Sequence, residues 1–223
     1  MEKRPVKNWL SAVIVGGAVW GFSEAALGMG LRKCAASISG SLMTGAALFF
    51  IAFLWFYTRR FLPVFLMIVL VSLIKTFDAL LLSLPFFHGA AANPIFAFFM
   101  EGLSFLLLVV LLDKALLEKK TGQAALGGMS ALLAVNLFPL VKYATGIPAC
   151  VVPGTGFPLS LYYAPLAVAV SMLTVPFGAW LGEKVFAFRF KTESSLFGAK
   201  LQPVVSSSVL MLFLLLIILL RMG

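Results

Sequence analysis

The chain has 223 residues, 62% of them hydrophobic and 11% charged, with a formal net charge of +9 and a mean hydropathy of +1.08. A water-facing surface needs far more charge than this, so a soluble domain is excluded and the composition is that of a polytopic helical membrane protein. The excess of Lys and Arg does not mark a nucleic-acid partner, because it falls in short clusters between apolar runs, as the positive-inside rule describes.

Seven apolar segments follow one another, at about 9–29, 41–58, 61–82, 94–113, 123–143, 159–182 and 203–221. At ~1.5 Å per residue each crosses a hydrocarbon core of ~30 Å, some with thinning or tilt. The start, MEKRPVKNW, resembles a signal-peptide n-region. The run after it is too long for an h-region and contains Glu24, so it reads as a retained first helix. Thr58, Arg59 and Arg60 leave so little room that the second and third segments form an antiparallel hairpin.

The expected fold is an all-α transmembrane bundle of six core helices plus a seventh, with the N-terminus cytoplasmic. Residues 1–182 form the bundle, 183–202 a linker and 203–223 a C-terminal anchor. The linker (KVFAFRFKTESSLFGAK) is polar and mildly amphipathic, and reads either as a surface-lying segment or as a solvated loop. VLMLFLLLIILLR reads as a plain lipid-facing helix. With the N-terminus inside, twelve Lys and Arg residues are cytoplasmic (Lys3, Arg4, Lys7, Arg59, Arg60 and seven further along). Only Arg32, Lys33 and Arg221 are then outside, which fixes the orientation in a plasma or inner membrane.

Four ionisable residues lie within apolar segments: Glu24, Lys75, Asp78 and Glu101. Charge at membrane depth costs a few kcal/mol or more, and such residues face a bundle interior. The topology puts all of them in the outer half, with Glu101 roughly 10 Å below the outer face. Asn136 falls at a similar depth and Lys142 at the rim. The expectation is a polar cavity opening outward. Lys75 and Asp78 are three apart and share a helix face, either neutralising each other or serving a ligand. Glu24 shares a stripe with Gly17, Gly21 and Gly28, small residues that let another helix approach, so it either bonds across that contact or meets a ligand. Glu101 has the same two readings. Three carboxylates against Lys75 leave a formal −2, which calls for a proton or a bound cation.

Trp20, one turn before Glu24, and Tyr162 and Tyr163 are candidate aromatic walls, the tyrosines equally an interfacial belt. The outer loops, 30–40, 83–93 and 144–158, suit a lid, the last being rich in Gly and Pro. His88 in the second loop reads as simply exposed. Cys34 and Cys150 both fall on the outer side, as a disulfide or as two thiols. One His beside them does not make a metal site, and no metal or other cofactor is expected. No phosphate-binding Gly-rich loop, HExxH or Gly-x-Ser-x-Gly occurs. No catalytic residues are assigned and the protein is read as a non-enzyme.

Six short helices, outer loops over a pocket, the stripe Gly17, Gly21, Ala25 and the segment NPIFAFFMEGL together resemble the membrane-embedded substrate-binding S components of energy-coupling factor (ECF) transporters. The resemblance spans residues 9–182, and the seventh segment departs from it. It implies capture of a small, vitamin-like or cationic solute and docking, through Gly17, Gly21 and Ala25, of a coupling transmembrane subunit that works with two ATPase subunits. The resemblance assigns no ligand residues; from their depth and chemistry alone, Glu24, Lys75, Asp78, Glu101, Trp20 and Asn136 are the expected ligand contacts. The alternatives are a proton- or cation-coupled secondary transporter using Glu24, and a membrane enzyme acting on lipid-like substrates. Besides the solute, membrane lipid is the expected partner, and nucleic acid is not.

Overall fold

The computed structural model describes residues 9–34, 36–85, 88–152, 154–192 and 196–222, with the side chains of 28–34, 36–37, 189–192 and 196–202 outside the description. The helices are α1 (Trp9–Cys34), α2 (Ala36–Thr58), α3 (Phe61–Leu81), α4 (Gly89–Leu111), α5 (Lys114–Leu117), α6 (Lys120–Leu137), α7 (Val141–Thr145), α8 (Leu159–Tyr162), α9 (Ala164–Thr192) and α10 (Leu196–Met222). A 3₁₀ turn at Phe138–Leu140 joins α6 to α7, so that Lys120–Thr145 acts as one span. Among the described residues, seven spans are long and apolar enough to cross a membrane, and the chain is a multi-pass membrane protein. Hydrocarbon offers the backbone no partners, so the crossing segments close their hydrogen bonds within helices. Among the described residues there is no β-strand, only an isolated bridge between Val151 and Pro158 in the loop before α8.

The α2–α3 hairpin turns on two residues. Arg59 adopts a left-handed φ of +53° and its N–H donates to the Trp55 carbonyl at 2.7 Å. Its guanidinium lies 4.3 Å over the Phe56 ring and pairs with Glu183 at 3.2 Å. Glu183 belongs to α9, which continues as helix to Thr192; the first half of the expected linker is therefore helical. The fourth helix starts at Gly89, five residues before the expected position. His88 caps it, its Nδ1 accepting from the Ala90 N–H at 3.2 Å, and Pro94 sits inside the helix rather than opening it.

Apolar side chains gain little by leaving lipid for one another, so close backbone approach governs which helices meet. Glycines supply that approach. α2 and α9 make the most extensive contact and run parallel: Gly45 faces Val170, Gly178 faces the Phe49 carbonyl, and Gly182 faces the Phe53 carbonyl. α6 crosses α9 with Gly127 against the backbone of Ser171. α1 and α3 also run parallel; a Cβ on Gly17 would sit 2.8 Å from Leu70 Cδ2, and one on Gly21 2.7 Å from Ile74 Cγ2. Ala25 is buried against Ile74 and Ile217 of α10. The stripe expected to dock a partner is thus occupied inside the chain, because its small residues are what seat α3 and α10 on α1.

Trp20, Trp55, Phe56, Tyr57 and Phe105 fill the core. The outer faces carry Leu73, Val110, Leu111, Leu173 and Met211, all well exposed, as lipid contact requires. Gly178→Val is expected to lower thermal stability in detergent by about 1–3 kcal/mol, since the new side chain meets a main-chain carbonyl that cannot swing away. Gly40→Ala, with nothing within 4 Å of the new Cβ, is expected to be neutral or to gain about 0.5–1 kcal/mol. Melting followed by tryptophan fluorescence checks both.

Candidate ligand-binding hollow

Toward the face carrying the α3–α4 and α7–α8 loops, residues of α1, α2, α4 and α6 line a cavity of about 400 Å³. Gly21 sets Ile74 against α1, and this places the next residue, Lys75, alongside Glu24 one turn further on. Glu101 enters from α4 and Thr44 from α2. Phe98, Asn93 and Tyr163 complete the wall. Glu24, Lys75 and Glu101 are all buried, at 3%, 9% and 4% exposure. Oε2 of Glu24, Oε2 of Glu101 and Oδ1 of Asn93 have no hydrogen-bond partner. An unsatisfied buried oxygen costs about 1–3 kcal/mol, more when charged. Three such acceptors on one cavity make it a receptacle for donors or positive charge.

Two bonds lace the mouth. Ser41 Oγ donates to the Tyr163 carbonyl at 3.2 Å, tying α2 to the start of α9, and Ser160 Oγ donates to the Val135 carbonyl at 3.1 Å. Cys150 lines the mouth as a free thiol, and the side chain of Cys34 lies outside the described residues.

Asp78 does not face the hollow. Arg221, in the last turn of α10, grips it in bidentate fashion, Nε to Oδ1 at 2.6 Å and Nη2 to Oδ2 at 2.8 Å. Lys75 Nζ adds a longer contact to Oδ2 at 3.3 Å. Asp78 projects from the flank of α3 on which α10 lies, so it joins two helices instead of meeting a ligand. α10 is consequently more than a plain lipid anchor, although lipid covers most of it. The charge balance changes as well. Arg221 neutralises Asp78, and the hollow keeps Glu24 and Glu101 against Lys75, a formal −1 in place of −2.

Two further expected contacts are displaced. Trp20 is fully buried, stacked 6.1 Å from Phe50 with Phe98 edge-on at 5.2 Å. It supports the lining ring Phe98 and does not itself line the hollow. Asn136 is exposed and donates to the Leu132 carbonyl at 2.7 Å; at about 100° per residue, Ala134, Val135 and Phe138 take the inward face and Asn136 turns out. Tyr162 and Lys142 are exposed also, whereas Tyr163 lines the cavity. Sequence reasoning missed Arg221 because an arginine ending an apolar helix is an ordinary interfacial anchor. It missed Thr44, Asn93 and Phe98 because nothing in the local pattern separates a cavity wall from a helix contact.

Among the described residues, no three of the His, Cys, Asp and Glu side chains come together in a way that would hold a metal ion. No family model, curated protein or solved structure matches the chain.

Asp78→Asn leaves Arg221 buried beside a neutral amide. Loss of one partner from a buried ion pair is expected to cost about 3–5 kcal/mol of stability. Thermal unfolding in detergent should show it, and Lys142→Gln, on an exposed side chain, should leave the transition in place.

Proposed function

We propose that this protein is a non-enzymatic solute-binding transport subunit of the plasma or inner membrane, with its N-terminus cytoplasmic and its hollow open to the outside. It captures a small cationic or zwitterionic, vitamin-like solute there. The observation that carries the reading is the convergence of Glu24, Lys75 and Glu101, from three helices, on one buried cavity in which both carboxylates keep an unpartnered oxygen. The cavity volume falls within the roughly 300–1,000 Å³ usual for small-molecule sites. The orientation is supported by the basic residues on the opposite side: Arg59, Arg60, Lys114, Lys119 and Lys120 lie at helix ends away from the hollow, and Lys184 in the last third of α9.

In the ECF-like form of this reading, partner subunits supply ATP hydrolysis. With Gly17, Gly21 and Ala25 committed to α3 and α10, a coupling subunit would meet another face, or would have to lift α10 away. A second reading, a proton- or cation-coupled carrier, is favoured by the charge count: two carboxylates facing a single lysine carry one negative charge too many, which a proton and a cationic solute would satisfy in turn.

Equilibrium binding of the purified full chain to a panel of small cationic and zwitterionic solutes tests capture. Glu24→Gln and Glu101→Gln are each expected to weaken binding about tenfold or more, the loss of one charge-assisted bond; full-strength binding by both variants would refute the assignment of the hollow. Reconstitution separates the two energy sources. Accumulation in proteoliposomes under a pH gradient without ATP, abolished by Glu24→Gln, selects the carrier. Tight binding without accumulation selects the subunit.

A further inference from the structure

We infer that Arg221 is a positioning residue for Lys75, and that the hollow therefore takes a zwitterionic solute, with its anionic group on Lys75 and its cationic group on Glu24 and Glu101. This rests on the solute-binding reading of the hollow and adds the class of ligand and the part played by the seventh helix.

Two cations compete for Asp78. A carboxylate three residues after a lysine on one helix is its natural partner, and in a low-dielectric setting the attraction is strong. Left alone with Asp78, the Lys75 ammonium would turn along α3 and close onto it. Arg221 holds this to one longer bond. Its planar fork matches both carboxylate oxygens at 2.6 and 2.8 Å, whereas the lysine donates a single 3.3 Å hydrogen bond to Oδ2, which it shares with the arginine. A bidentate guanidinium outcompetes a point charge for a carboxylate. Asp78 thus serves two cations, the three groups carry one surplus positive charge, and the Lys75 side chain brings it to the hollow wall.

A cavity lined by Glu24 and Glu101 alone would suit any simple cation. Lys75 works against such a ligand, because its charge repels it. It helps a ligand that brings an anionic group of its own. With one proton on the carboxylate pair the hollow is neutral overall yet polarised, positive at Lys75 and negative at the glutamates, and a zwitterion has the complementary pattern. Phe98 and Tyr163 supply aromatic surface between these poles. Among the described residues, the contacts given for α10 near here are apolar, Ile217 on Ala25 and Ile74, and Phe213 on Phe22 at 5.2 Å. They hold the helix in place without influencing Lys75.

Two measurements on the full chain in detergent test this. The first needs no ligand. Reductive methylation with ¹³C-formaldehyde, read out by peptide mass spectrometry, reports how freely the Lys75 amine reacts. Arg221→Gln is expected to slow modification of Lys75 about tenfold, as Asp78 captures the amine. Arg221→Lys should fall between the two. The Asp78→Asn, Arg221→Met double variant should restore the wild-type rate, because the competing carboxylate is gone; a helix that merely anchors would not be rescued by a second loss. An unchanged rate in Arg221→Gln, or no restoration in the double variant, overturns the positioning role. The second measurement is calorimetric binding of matched probes, phenylalanine with phenethylamine and leucine with isoamylamine. The wild type should favour the amino acid of each pair by about tenfold, and Arg221→Gln should lose that preference. Equal binding of amine and amino acid overturns the ligand class while leaving solute capture intact. Binding of no probe overturns the ligand class too, and capture is then decided by its own, wider panel.

Discussion

A charge placed in hydrocarbon must find a counter-charge within reach, and that requirement organises the loop-side half of this protein. Asp78 meets it through two cations on two helices, Arg221 at 2.6 Å and Lys75 at 3.3 Å. Because the arginine has the better geometry, the lysine is left over, and its position on the wall of the cavity follows. Glu24 and Glu101 are then opposed by one positive group in place of none. The helix that carries Arg221 also packs along α1, with Ile217 buried on Ala25 and Phe213 on Phe22, and the ion pair adds a polar tie to α3.

The glycine seams set the remaining geometry. Parallel contacts at Gly17 and Gly21 fix α1 on α3, and those at Gly45, Gly178 and Gly182 fix α2 on α9. Each seam draws two backbones together over part of its length. Glu24, Thr44 and Lys75, each within three residues of a seam contact, line the hollow. Beside the seams, Phe98 lines the hollow and lies edge-on to Trp20, which stacks in turn on Phe50.

Much of this was legible in the sequence, for physical reasons that differ by feature. The seven spans were readable because lipid demands length and apolarity from every crossing segment. Glu24, Lys75 and Glu101 stood out because ionisable groups at that depth are rare, and the topology alone placed them at one level. The azimuth of each residue was less legible. Asn136 lies at the expected depth but faces outward, and Asp78 lies one turn from Lys75 yet serves a different neighbour. Depth depends on counting residues, whereas azimuth depends on which face a neighbouring helix chooses. Gly17, Gly21 and Ala25 show the same limit: small residues announce a close contact but do not say whether the partner is α3 or another protein. Arg221 gave no signal, since its partner is 143 residues away in the chain.

That separation has a consequence for biogenesis. Helices enter the bilayer in the order of their synthesis, and α3 arrives long before α10. During that interval Asp78 has only Lys75, one turn away on the same segment, and the internal pair lets α3 partition into lipid as an electrically balanced unit. When Arg221 follows, it joins the lysine on the carboxylate and makes the shorter bonds. A single lysine thus acts first as an escort for insertion and afterwards as part of the mature cavity.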